Sequence, residues 1–157
     1  MDYLQHKLNV PIIGEYDVVV AGGGPAGIGA AVSRRYGEEG ASVVVNYLHN
    51  QALAEQVASE INAGPGRAVA VQGDVSRRED VDRLVKAAHE HFGPVDIMVC
   101  NAVHYPRRPW HTISEAEWDQ VMAVNLKGAL FCCQAVYPDM QARGSGVLIT
   151  VSSVTVE

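Results

Sequence analysis

Residues 17–31 read DVVVAGGGPAGIGAA. A short β-branched run meets a cluster of glycines, and an alanine-rich helical stretch follows. The run is apolar throughout and does not alternate, which predicts a strand buried on both faces. The glycines at 22–29 (GGGPAGIG) let the chain turn sharply and leave the backbone N–H groups at the helix start open to an anionic group. A glycine-rich loop between a strand and a helix is the context in which such a sequence cradles phosphates. The helix is read to about Glu39, with Gly40 closing it.

The same unit recurs downstream. SVVVNY at Ser42–Tyr47 precedes a helix read over 50–62, which the AGPG turn at 63–66 ends. AVAVQ at 68–72 precedes a helix with Ser76 as its N-cap and Glu79 placed to complete a capping box. Val81, Leu84, Val85 and Ala88 recur at helical spacing, and Gly93 and Pro94 end the pattern. VDIMVC at 95–100 is followed by a long loop at 102–113 with Pro106, Pro109 and Trp110. Ser114 and Glu117 form a second capping box, helical character runs on to about Arg143, and GVLITV at 146–151 makes a fifth run. Buried strands alternating with helices predict an α/β fold, a doubly wound parallel sheet of Rossmann-like type in three α/β/α layers. A single domain at 17–157 then follows an N-terminal extension at 1–16. Ligands of such sheets bind beyond the carboxyl ends of the strands, which nominates 22–29, 46–50, 73–76, 101–113 and 152–157.

The bulk numbers narrow the function classes. Among 157 residues, 48% are hydrophobic and 19% charged, an ordinary globular balance that argues against disorder. The net charge is -6 and the arginine pairs at 34–35, 77–78 and 107–108 are dispersed, so no nucleic-acid partner is expected. Cys100, Cys132 and Cys133 lie in apolar runs without CxxC spacing and read as free buried thiols. No run approaches the ~20 apolar residues of a membrane span, and the first residues lack the pattern of a signal peptide. A cytoplasmic protein without a membrane partner is the expectation.

Two fingerprints overlap in the glycine loop. Gly22, Gly24 and Gly27 form GxGxxG, whereas Gly23, Gly27 and Gly29 form GxxxGxG. Spacing does not choose between them, but either implies a dinucleotide. After the second run stands Asn46, beside Tyr47, with no carboxylate before Glu55. Nothing there repels a 2′-phosphate, so Asn46 is assigned to the cofactor site and NADP is favoured over NAD. No Arg or Lys at 46–50 grips that phosphate, so NAD stays open, and FAD is disfavoured.

Four further stretches carry a family likeness. GDVS at 73–76, CNAV at 100–103, VNLKG at 124–128 and ITVSS at 149–153 occur in the order and register of the short-chain dehydrogenase/reductase family, which the chain resembles over 17–157. The resemblance implies hydride transfer between a nicotinamide and a small-molecule carbonyl or alcohol substrate, as in a 3-oxoacyl reductase. It implies that Gly23, Gly27, Ile28 and Gly29 shape the cofactor loop and that Asp74 and Val75 contact adenine. Asn101 and Ala102 would line the cofactor near its ribose. Asn125 would hold a water through its helix backbone, and Ser153 would bind the substrate oxygen, with Ser152 as the alternative.

Three departures stand out. Gly22 replaces the family's Thr, Val103 replaces the Gly of its NNAG motif, and 14–31 also resembles the N-terminus of an FAD-dependent oxidoreductase. That last likeness raises a chimeric origin with a junction near 30–35, and an FAD-binding module as a rival reading. The family's reaction also needs a Tyr-x-x-x-Lys pair, and the single such pair here, Tyr3 and Lys7, precedes the first strand. The chain by itself is therefore expected to be inactive, and a non-catalytic dinucleotide-binding module is the other rival. The family's sheet continues past the fifth strand; without that continuation 147–151 is an apolar edge that invites pairing, including a homo-oligomer. His104, Tyr105 and His111 would border the substrate pocket.

Overall fold

In the computed structural model, residues 16–22 and 27–152 are described. Five strands, β1 (Asp17–Ala21), β2 (Ser42–Tyr47), β3 (Arg67–Gln72), β4 (Ile97–Cys100) and β5 (Val147–Thr150), form one sheet in the order β3-β2-β1-β4-β5. Every pairing is parallel. Val19, Val44 and Met98 face α3 (Arg78–His91) and α5 (Ala129–Arg143), packing on Val81, Val85, Cys132 and Val136. Val18, Val20, Val43 and Val45 face the opposite way, onto Ala30 of α1 (Ile28–Glu38) and Ala54, Val57 and Ile61 of α2 (Gln51–Asn62). Successive residues of one strand thus enter two different cores, which is why the strands read as unbroken apolar runs. Each fully buried valine contributes roughly 1.5–3 kcal/mol.

One expectation about helices fails. The capping box of Ser76 and Glu79 does not form: the N-cap of α3 is Arg77, without a side-chain cap. Ser76 instead donates from its backbone N–H (2.9 Å) and its hydroxyl (2.7 Å) to Asp74 Oδ1. A carboxylate two residues upstream competes successfully for the groups of a short polar residue. Helical character does run on to Arg143, in three pieces: α4 (Glu115–Met122), a π-helical turn (Ala123–Gly128) and α5. Gly128 lies against the chain after β3; a Cβ there would meet Val75 Cγ2 at 2.8 Å. The Ser114–Glu117 box does form, with Glu117 N–H donating to Ser114 Oγ at 3.3 Å and Ser114 N–H to Glu117 Oε2 at 3.0 Å.

The final observed strand begins at Val147 and forms the edge next to β4, with Val147 and Leu148 exposed. All three cysteines are free, with Cys100 and Cys132 buried and Cys133 partly so. Hydrogen bonding with Cys132, then burial, pushes the Cys100 thiol up; burial and the neighbouring Cys100 push Cys133 up to about 11. Both thiols stay protonated and unreactive. Among the described residues no helix is long and apolar enough to cross a membrane.

Candidate functional site

The strand order reverses direction at β1, whose neighbours are β2 and β4. Crossover helices leave the two sides of that point on opposite faces, so a crevice opens at the carboxyl ends of the strands. A cleft of about 380 Å³ occupies it, walled by Gly22, Asn46, Asp74, Asn101, Ala102 and Val124, among others. Four of the five candidate stretches contribute to this lining, through Gly22, 46–50, 73–75 and 101–103; of 152–157 only Ser152 is described.

Gly22 is the centre of the crevice. Its N–H donates to Asn46 Oδ1 at 3.0 Å, and its carbonyl accepts from Asn101 Nδ2 at 3.0 Å. Its φ is +77°, and a Cβ would lie 2.6 Å from the Ala102 backbone, so neither conformation nor space admits a threonine. Gly22 is braced instead by two asparagine amides, from β2 and from just past β4. Gly29 is as confined: a Cβ would collide with the Gly22 carbonyl and come within 2.7 Å of Asn101 Nδ2. α1 therefore starts hard against the end of β1, with Gly27 as an N-cap that makes no side-chain cap. Ile28 is exposed there. Gly23, assigned to the same loop, lies outside the described residues.

Asn46 is 2% exposed. Besides accepting from Gly22, its Nδ2 donates to the Gly73 carbonyl at 2.9 Å and lies 3.4 Å from the carbonyls of Tyr47 and Val71. Asn46 lines the cleft, and its amide is held by the backbone of the three strand ends around it. The outer wall of the cleft here is Tyr47, Leu48, His49 and Asn50, and Asn50 caps α2 by accepting from Leu53 N–H at 3.3 Å.

Across the cleft, Asp74 and Val75 sit on the turn after β3. Oδ1 of Asp74 is taken by Ser76, while Asp74 N–H donates to Asp80 Oδ2 at 2.9 Å. Asp80 is buried, with Arg83 at 2.8 Å and Arg77 at 3.9 Å. The Asp74 N–H, aided by Arg83, holds the Asp80 carboxyl below its ordinary 3.8. Sequence reading missed Asp80; an acid in the first turn of α3, one residue past the supposed Glu79 cap, was the available signal.

Asn125 lies in the π-helical turn. Its side chain accepts from His104 N–H at 2.7 Å and donates to His104 carbonyl at 3.0 Å, fixing the loop just beyond Val103. The same wide turn places Val124 in the cleft wall. Ser153 lies outside the described residues, so the structure brings together Asn46, Asp74, Val75, Asn101 and Ala102 but is silent on the serine.

A family model described as short chain dehydrogenase matches residues 17–157. The chain belongs to the short-chain dehydrogenase family. The match takes in the glycine loop and passes unbroken through 30–35, so the likeness of 14–31 to an FAD-dependent oxidoreductase finds no support. Among relatives of this dehydrogenase chain, 3beta-hydroxysteroid dehydrogenase 1 of Eggerthella lenta is 42% identical over 137 residues, 87% of this chain and 52% of that protein. A 3-oxoacyl-[acyl-carrier-protein] reductase of Staphylococcus epidermidis is 36% identical over 132 residues, 84% of this chain and 54% of that protein. A solved putative short-chain alcohol dehydrogenase from Sinorhizobium meliloti 1021 superposes with a TM-score of 0.80 at 35% identity, covering 88% of this chain and 54% of the other. A 3-ketoacyl-ACP reductase from the same organism gives 0.80 at 31%, covering 87% and 53%. The chain spans about half the length of each of these relatives.

Proposed function

We propose that residues 17–157 form the dinucleotide-binding part of an NAD(P)-dependent oxidoreductase that interconverts a small carbonyl compound and its alcohol, with 3-oxoacyl compounds as the leading substrate class. The observation that carries this reading is the cleft at the strand-order reversal, bounded by Gly22 and Asn101 on one side and Asp74–Val75 on the other. The residues present fit a dinucleotide. Asp74 is the single carboxylate of the cleft lining among the described residues, and one of its oxygens is already occupied. α1 begins at Ile28 behind Gly27, which makes no side-chain cap, and a helix N-terminus favours negative charge.

When bound, the nicotinamide supplies or accepts the hydride. Asp74 and Val75 would hold the adenine end, Asn101 and Ala102 the ribose, and Gly23, Gly27, Ile28 and Gly29 the pyrophosphate. Asn125 would present a backbone carbonyl to a water in a proton relay, and Ser153 would hydrogen-bond the substrate oxygen. NADP is proposed over NAD because no carboxylate follows β2, although Asn46 itself takes no part in that choice. Turnover needs a tyrosine and lysine in register with these residues, which 17–157 do not supply, so carbonyl reduction is proposed for the whole protein, in the cytoplasm, and nucleotide binding for this chain.

Fluorescence titration of the chain with NADPH and NADH tests the reading. Saturable binding of either, weakened at least tenfold by Asp74→Ala, is the expected result. A chain that melts cooperatively yet binds neither would refute it.

A further inference from the structure

We infer that Asn46 is a positioning residue that couples the two walls of the nucleotide cleft, holding the start of the glycine loop at a fixed height over the end of β3. The inference rests on the nucleotide reading above for its consequence, though not for its geometry.

The geometry is that of a strut. Asn46 is the fifth residue of β2, paired with Val71 of β3, and it is 2% exposed. Its oxygen accepts from Gly22 N–H at 3.0 Å, the first residue past β1. Its nitrogen donates to the Gly73 carbonyl at 2.9 Å, the first residue past β3. One amide group therefore joins the chain exits of β1 and β3 across the end of the strand between them. Each exit leads directly into a proposed binding element: Gly22 into the glycine loop, and Gly73 into the Asp74–Val75 turn.

The chemistry requires an amide. A carboxylate would face the carbonyls of Gly73, Tyr47 and Val71 with an oxygen, and a hydroxyl is too short to reach both exits. A threonine in place of Gly22, as the family usually has, is excluded by the Ala102 backbone. Gly22 and Asn46 thus form a matched pair: the glycine fits against the Ala102 backbone where a side chain would not, and its N–H is taken by the Asn46 amide. A group that bound the 2′ substituent directly would set the ratio of NADPH to NADH affinity. A strut would scale both affinities together, because adenine and pyrophosphate are common to both.

The test uses the full chain, Asn46→Ala and the volume-conserving Asn46→Leu, with two readouts. By NMR amide exchange, both variants are expected to release the Gly22 N–H at least tenfold faster while the Val43 and Val44 amides keep their protection. By titration, NADH and NADPH affinities are expected to fall together, about tenfold, with their ratio unchanged within twofold. An unchanged Gly22 exchange rate overturns the strut, and a ratio shifted more than fivefold overturns it in favour of direct contact. Loss of cooperative unfolding in both variants also overturns it, reducing Asn46 to a core residue. If the unmodified chain binds neither dinucleotide, the nucleotide reading fails and takes the proposed coupling with it, while the exchange result still decides whether the strut exists.

Discussion

The two ends of β1 solve the same problem with opposite chemistry. At its carboxyl end neutral amides grip backbone: Asn46 and Asn101 hold Gly22 from either side, whereas the turn after β3 rests on the Asp80 carboxylate. At the amino ends, charges do so. Arg143 reaches Asp96 at 2.9 Å and the Val95 carbonyl at 2.7 Å; Asp96 accepts from Asp17 N–H at 3.0 Å; Arg67 donates to Ser42 Oγ at 3.2 Å and lies over the Phe92 ring. An amide can satisfy a buried N–H and a buried carbonyl at once without adding charge. That matters at the end where a polyanion is proposed to bind, since a fixed charge would dominate a partly desolvated cleft. At the amino end, where no dinucleotide is proposed to bind, ion pairs supply the cohesion.

The sharpest way to break this contrast is Gly29→Ala. The added methyl meets the Gly22 carbonyl and Asn101 Nδ2, so overpacking of up to about 3 kcal/mol is expected. Dinucleotide affinity, read by titration, should fall at least tenfold. Retained affinity would show that the crevice is not as confined as the geometry implies. Next in size is Arg143→Met at the amino end. It removes charge-assisted bonds to Asp96 and Val95, about 2 kcal/mol, and lowers the melting temperature while leaving nucleotide affinity unchanged. An altered affinity would mean that the two ends are coupled through the sheet.

Ser114→Ala is the intermediate control. It breaks the capping box of α4 near the open end but outside the amide clamp, at a cost of about 1 kcal/mol. Thermal melting should register it and titration should not. The smallest effects are those of pH, and they have opposite signs at the two ends. Burial, with repulsion from Asp96, holds Asp17 above 3.8 against the pull of Ser42 and nearby arginines. The folded state therefore favours its proton, and its contribution is present below 3.8 and lost as pH rises just above it. Asp80 is held below 3.8, so its contribution is present above that value and lost as pH falls beneath it. Melting curves from pH 3 to 6 should show Asp17→Asn removing a loss on alkalinisation and Asp80→Asn removing a loss on acidification. Identical pH profiles for the two variants would contradict both assignments.

What could be read from the chain follows the range of the interaction. β1 and β2 are found at the residues expected, because an unbroken β-branched run between turn signals reports burial on both faces. The Ser114–Glu117 box was legible because its partners are three residues apart. The Ser76–Glu79 box had the same spacing and failed, since Asp74 competes for Ser76 and no local rule ranks the two. The π-helical turn at Ala123–Gly128 was not legible either, because nothing in the helical periodicity signals it. Of the site, Asp74, Val75, Asn101 and Ala102 were placed by motif order, and they do meet at one cleft. Asn46 lines the same cleft, but its bonds to Gly22 and Gly73 join strands 24 and 27 positions away and were not legible.

The sequence by itself determined the parallel α/β sheet, its alternating elements and the family, because strand burial and motif order are properties of short stretches in series. The tertiary structure alone decided which way a buried polar group points. Asn46 and Gly22 are 24 positions apart, and Asn101 and Gly22 are 79 apart. Only the strand order β2-β1-β4 brings both amides to one glycine, and with that contact an apparent loss at Gly22 becomes a paired feature of the cleft.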